Sequence, residues 1–286
     1  MSSIKVRFKN AAKLLVGNKK FLSGLIMLFL IFMMSLSVYI FSIPYPTFGS
    51  VPAFREPSKQ FLLGTDGLGR DLFAVLLYGI QTSFYIGFMA GTLSTALGVL
   101  IGFLGGYKGG LLDDVLRSVI DLFLVIPVWP ILVLISVSVK SLTIPVMAFL
   151  LTAFSWQGSA RAIRSQVMSL KEREFINIAR LSGLGTFEIL FEEIFPNMIS
   201  YIAASFVMSV TGVILTEASL EVIGLGPPSA TSLGLMLFWS QQYGAIVKGW
   251  WWWILPPISV LVVLFISLIL LTLGLDEISN PRLRKT

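Results

Sequence analysis

The chain contains no cysteine and no histidine. The first absence removes disulfides and thiolate chemistry. The second removes the commonest metal ligand and general base. Charge is also scarce, at 13% of 286 residues, against about 25% in a soluble globular domain. The space is filled by apolar residues, 56% of the chain. That balance excludes an ordinary soluble enzyme and defines an integral membrane protein. The formal net charge of +6 fits basic cytoplasmic loops and gives no reason to invoke nucleic acid.

Basic residues precede the first apolar run, as in a signal peptide. That run, Phe21 to Ile43, exceeds the about 7–15 residues of a signal core, and no small-residue cleavage pattern follows it. We read it as an uncleaved span. Further runs of spanning character lie at Gly79–Gly105, Leu112–Val139, Ile144–Gln157, Met198–Thr216 and Trp250–Gly274, the fourth being short. The alternating segments of a membrane β-barrel are absent. The predicted fold class is therefore an all-α membrane protein with six transmembrane helices. The predicted divisions are an amphipathic cytoplasmic segment (1–20), a first transmembrane helix (21–43), an extracytoplasmic loop (44–78), a core of five spans (79–275) and a cytoplasmic tail (276–286).

Orientation follows from the basic residues. Lys5, Arg7, Lys9, Lys13, Lys19 and Lys20 precede the first span, and Arg282, Arg284 and Lys285 follow the last. Placing both tails in the cytoplasm also puts Lys108, Arg117, Arg161, Arg164, Lys171, Arg173 and Arg180 inside. Only Arg55, Lys59, Arg70, Lys140 and Lys248 then lie outside, as the positive-inside bias requires. Trp250 to Trp253 open the last span on the outer side, where four indoles fit an interfacial belt. The expected location is the plasma or inner membrane.

Several charges sit in or near spans, where they merit a functional reading. Arg117 and Asp121 are spaced i,i+4 and are expected to pair structurally. Glu217 and Glu221 also share a helix face but carry like charge. Twenty residues beyond Asn197 cover about 30 Å of rise, so this pair is expected at the outer rim. Two alternatives stand there: contact with cargo or a docked receptor, and hydrogen bonding to another subunit's helix end. The glycines of "LGTDGLGRD" (Leu63–Asp71) lack the Lys-Ser/Thr ending of a phosphate loop. An external lid bearing Asp66, Arg70 and Asp71 is expected instead.

The predicted cytoplasmic loop 161–197 is neither apolar nor loosely polar. Phe175, Ile178 and Leu181 or Ser182 follow helical spacing. Gly183-Leu184-Gly185 breaks that helix. Phe187, Leu190, Phe191 and Ile194 begin a second one, which Pro196 is expected to stop. The residues leave two readings open: a hairpin packed on the bundle, or a docking element whose small turn residues let a partner approach.

This stretch resembles the EAA loop of permease subunits in binding-protein-dependent ABC importers of the type I fold. The matching frame is Asn177-Ile178-Ala179, Gly183, Ile194 and Pro196. Asn177 stands where the family favours Glu, Ile178 where it favours Ala, and Glu192 and Glu193 where relatives often carry Arg and His. "LGTDGLGRD", "GFLGGYKGG" (Gly102–Gly110), "RSVIDLFLVIP" (Arg117–Pro127), "TEASLEVIGLG" (Thr216–Gly226) and "NPRL" (Asn280–Leu283) resemble the dipeptide/oligopeptide/nickel branch. The second of these resembles the turn after that branch's second span.

The resemblance implies a permease that imports peptides, with oligosaccharides or nickel complexes as alternatives. It implies a second homologous permease subunit, two cytoplasmic ATPases carrying the ATP and Mg, and an extracytoplasmic solute-binding protein. No cofactor and no catalysis are expected in this chain. The implied ATPase-coupling residues are Glu174, Asn177, Ala179, Arg180, Gly183, Leu184, Gly185, Glu192, Glu193 and Pro196. Glu217 and Glu221 are the candidates for pathway or receptor contact. Glu221 replaces the branch's usual apolar residue or Ser. An ion-coupled secondary transporter is the alternative of another class. It calls for a mid-membrane ion site and an inverted repeat, and neither is evident.

Overall fold

The computed structural model describes Leu15 and residues 17–139 and 142–279. Most of the expected amphipathic segment, and the Asn280–Leu283 motif, lie outside the described residues.

The helices are α1 (Lys19–Ile40), α2 (Leu72–Lys108), α3 (Gly110–Val125), α4 (Val128–Ser138), α5 (Ile144–Ala153), α6 (Trp156–Lys171), α7 (Glu174–Leu181), α8 (Thr186–Val222), α9 (Leu233–Gln242) and α10 (Trp251–Ser279). Of these, α1, α2, α8 and α10 are long and apolar enough to cross a membrane. The predicted third span is broken: α3 and α4 meet at 76°. Pro127 explains the break, because it forces the preceding residue out of helical geometry, and Ile126 is extended at ψ 128°. The predicted fourth span is α5, about 15 Å long by its rise, half a bilayer core. Phe154 and Ser155 then interrupt the chain before α6. The sixfold count thus holds only approximately.

The longest scaffold element is α2. It has 37 residues, about 55 Å, and contacts α1, α5, α6, α8 and α9. Asp71 caps its start by accepting from Phe73 N–H at 2.9 Å. The helix continues through Gly102, Gly105 and Gly106 to Lys108. These glycines are therefore packing positions, where the sequence suggested a turn. A Cβ at Gly102 would meet the backbone N of Arg164 at 2.9 Å and the carbonyl of Ala160 at 3.0 Å. One at Gly98 would meet Ala160 N at 2.9 Å, and one at Gly91 would meet Val210 of α8. This is the small-residue route to close helix contact within a membrane. The turn itself falls on Gly109 and Gly110, with φ of 70° and 61°.

Gly24 of α1 packs likewise on Ser267 and Leu271 of α10. Asn18 and Lys20 both bond Glu277, tying the two helices together. In the loop before α2, Asp66 accepts from Leu68 N–H, Arg70 N–H and Arg70 Nε at 2.7–2.9 Å. Asp66 and Arg70 are 0% and 4% exposed, so the expected lid charges fold onto each other. The tryptophans also differ from one outer belt. Trp253 is buried against Tyr243 and Trp250, while Trp251 is exposed.

Candidate functional site

The loop between α6 and α8 forms a helical hairpin. Its first arm, α7, ends in two bonds: Leu184 N–H to Ala179 O at 3.2 Å, and Gly183 N–H to Arg180 O at 3.0 Å. These are the two bonds of a Schellman cap, which places its glycine in the left-handed region. Gly183 has φ +84°. The second arm starts at Thr186, where Glu188 Oε2 accepts from Gly185 N–H at 2.7 Å.

Pro196 does not stop this arm. Helical backbone runs without a break from Ile189 through Phe195 to Val222. Residues Ile189–Ile194 take a π-helical turn directly before the proline. Pro196 has no N–H and its ring conflicts with the carbonyl four residues earlier. The wider turn absorbs that conflict, so the hairpin and the spanning helix are one piece.

The predicted apolar faces split in two. Ile176, Ala179, Ile189, Leu190 and Ile194 are buried against Tyr107 of α2 and Ile163 and Val167 of α6. Arg180 lies over the Tyr107 ring at 5.8 Å. Ile178, Leu181, Phe187 and Phe191 point the other way and are 63%, 88%, 74% and 65% exposed. The helical spacing in the sequence put Phe187, Leu190, Phe191 and Ile194 on one face of the second arm, and Phe175, Ile178 and Leu181 together on the first. The burial of Ile176, one residue outside the expected spacing, rotates α7 and turns Leu181 outward.

Among the expected coupling residues, Glu174, Asn177, Arg180, Gly183, Gly185 and Glu192 are exposed. Leu184, Glu193 and Pro196 are half-buried, and Ala179 is buried. The hairpin thus offers a rim of polar groups around an outward apolar patch.

The sequence reading missed the anchor of this region. Arg164 of α6 binds Asp113 of α3 through Nε and a second guanidinium nitrogen, at 2.5 and 2.6 Å. That hydrogen-bonded carboxylate holds the Arg164 pKa above its ordinary value. Asp121, expected to pair with Arg117, stands 3.6 Å from it and 3.4 Å from Arg161 of α6. The only sequence cue was opposite charge on two segments more than forty positions apart.

At the far end of α8, Glu217 and Glu221 are both 0% exposed. Glu217 Oε1 accepts from Ser83 of α2 at 3.1 Å, and Glu221 Oε2 accepts from Ser232 at 2.5 Å. Ser232 also caps α9, accepting from Leu235 N–H. In this structure both carboxyl groups thus meet neighbouring segments of the same chain. Among the described residues, no group of three or more Asp or Glu is placed to hold a metal.

This helical arrangement, with α1, α2, α8 and α10 each long and apolar enough to span, is that of a multi-pass membrane protein. A chain of the MetNI methionine ABC transporter, solved in inward-facing conformations, shares the fold with a TM-score of 0.56 at 18% identity, over 73% of this chain and 97% of that one. The family profile "Binding-protein-dependent transport system inner membrane component" matches residues 98–285. The chain belongs to that family, and it is a multi-pass transport component. Among curated relatives, it is 31% identical to the oligopeptide transport system permease protein OppC of Bacillus subtilis, over 78% of this chain and 73% of that protein. It is 31% identical to OppC of Mycobacterium tuberculosis over 80% and 79%. It is 28% identical to the dipeptide transport system permease protein DppC of Bacillus subtilis over 97% and 86%.

Proposed function

We propose that this chain is one of two homologous permease subunits of an ATP-driven importer, and that the cargo is a peptide handed over by a solute-binding protein. The permease assignment rests on the family. The peptide assignment rests on the relatives' names, which cover oligopeptides and dipeptides. The docking assignment rests on one observation: four large apolar side chains stand exposed on a hairpin whose opposite face is fully packed. Exposed apolar clusters of this kind mark interaction surfaces.

In this mechanism both termini and the hairpin are cytoplasmic. ATP and Mg bind to two separate ATPase subunits. An ATPase cleft receives Ile178, Leu181, Phe187 and Phe191, and Glu174, Asn177, Arg180 and Glu192 set the register at the rim. Gly183 and Gly185 let the partner approach the turn. Closure of the ATPase dimer shifts the hairpin, and the shift travels along α8 because no hinge separates it from the span. The docked surface must interact differently in the two states for nucleotide to bias the equilibrium.

Reconstituted vesicles containing both permeases, the ATPases and the receptor should accumulate peptide only with ATP. Uptake driven by an ion gradient without the ATPases would overturn this function. The docking surface has its own test. Gly183→Trp adds bulk at an open position where the left-handed backbone also disfavours a side chain. The variant should insert into the membrane and lose ATPase co-purification. Normal co-purification would refute docking through this turn.

A further inference from the structure

Glu217 and Glu221 stand one turn apart on α8 and are completely buried. Burial disfavours a charged carboxyl, and a like charge beside it disfavours it again. No ion pair among the described residues includes either group. The polar groups that face them are neutral: Ser83 from α2, and Ser232 with the backbone at Gly234 from the start of α9.

Their surroundings divide the pair unequally. Glu221 accepts from the hydroxyl of Ser232, the residue that caps α9. It therefore sits at the N-terminus of a ten-residue helix, where free N–H groups and the helix dipole favour negative charge. Glu217 accepts only from Ser83. One oxygen on each carboxyl is left without a donor, Oε2 of Glu217 and Oε1 of Glu221. The two side chains are neighbours on one face of α8, four residues apart and both enclosed. A single proton satisfies both orphaned oxygens.

We infer that Glu217 retains a proton on Oε2 and donates it to Oε1 of ionised Glu221, making a proton-binding clamp that joins α2, α8 and α9. The site takes up one proton and leaves a single negative charge, which the start of α9 neutralises. Gly234 belongs to the clamp by its smallness. A Cβ there would lie 2.6 Å from the Glu221 Cβ and 2.7 Å from the Ala218 carbonyl. Drawing α9 away from α8 would remove the Ser232 donor to Glu221. This clamp is independent of the cargo and of the hairpin's partner.

Infrared spectroscopy of the lipid-embedded transporter tests it at neutral pH. The wild-type minus Glu217→Gln difference spectrum should contain the carbonyl stretch of a neutral carboxylic acid. Glu221→Gln should retain that band. Absence of the band from the first difference, or its loss in Glu221→Gln, would overturn the assignment. A wild-type measurement guards against misfolded variants. With 13C-glutamate, a labelled neutral-acid band should persist as the pH is raised by about two units, beyond the range of exposed carboxyls. Its absence, or the appearance of two carboxylates that respond to sodium, would equally refute the clamp.

Discussion

The two ends of α8 break the usual burial rule in opposite directions. At the hairpin end, Leu181, Phe187 and Phe191 stand exposed in a segment rich in charge. At the far end, about 40 Å away by helical rise, two glutamates are entirely enclosed. An exposed apolar cluster is a surface short of a partner. A buried carboxyl pair with its own donors is a surface already completed by the chain. The comparison teaches that this subunit finishes one end of its main helix itself and leaves the other for a partner. The continuous backbone through the π-helical turn connects the two.

The sharpest way to break the contrast is Glu221→Ala. It removes the acceptor for Ser232 at the start of α9 and leaves a void. The isolated subunit should lose about 3 kcal/mol or more, seen as a lowered Tm in detergent. A smaller loss is expected between the two ends. Gly102→Leu drives a side chain into the backbone of α6 and should cost about 1–3 kcal/mol, measurable by thermal unfolding.

Arg164→Met tests the anchor behind the hairpin. It leaves Asp113 without its bidentate partner, and about 1–2 kcal/mol should be lost, less than for a sealed pair because the site is partly open to solvent. Hydrogen exchange should rise in α3 and α6. At the hairpin itself, Leu181→Asp with Phe187→Asp should change subunit stability by only about 0.5 kcal/mol, because neither side chain packs on the bundle. ATPase co-purification should nevertheless be lost. A large fall in Tm for this double variant would show that the patch belongs to the subunit's own core and would erase the contrast.

Much of the fold was legible because lipid imposes simple requirements. The first and last spans, the all-helical class and the hairpin's glycine turn followed from run length, charge bias and the cheapness of a left-handed glycine. Pro127 carried the signal for the break between α3 and α4, but a hydropathy run passes through a proline without noticing it. The glycines at 102, 105 and 106 looked like a turn because glycine has two uses, and local sequence does not say which one applies. A close neighbour decides it, and that neighbour, α6, meets them about sixty positions further on.

The candidate site divides in the same way. The sequence marked out the hairpin and paired Glu217 with Glu221 by their spacing. It did not show which apolar residues of the hairpin face outward. A rotation by one residue on α7 buries Ile176 and exposes Leu181, and that angle is fixed by packing on Tyr107 and Val167. The sequence likewise left Glu217 and Glu221 open to cargo, receptor or another subunit's helix end, and not to this chain's own serines. Ser83 and Ser232 come from segments 134 and 11 positions away.

By itself, then, the sequence determined that the chain lives in a membrane, because too few charges remain to solvate its apolar surface. It also determined that a capped hairpin interrupts the spans, because glycine and charge recur there at helical spacing. Only the tertiary structure decided which apolar groups stay exposed and which charges are enclosed. Exposure belongs to the packed arrangement of distant segments, and no local pattern contains it.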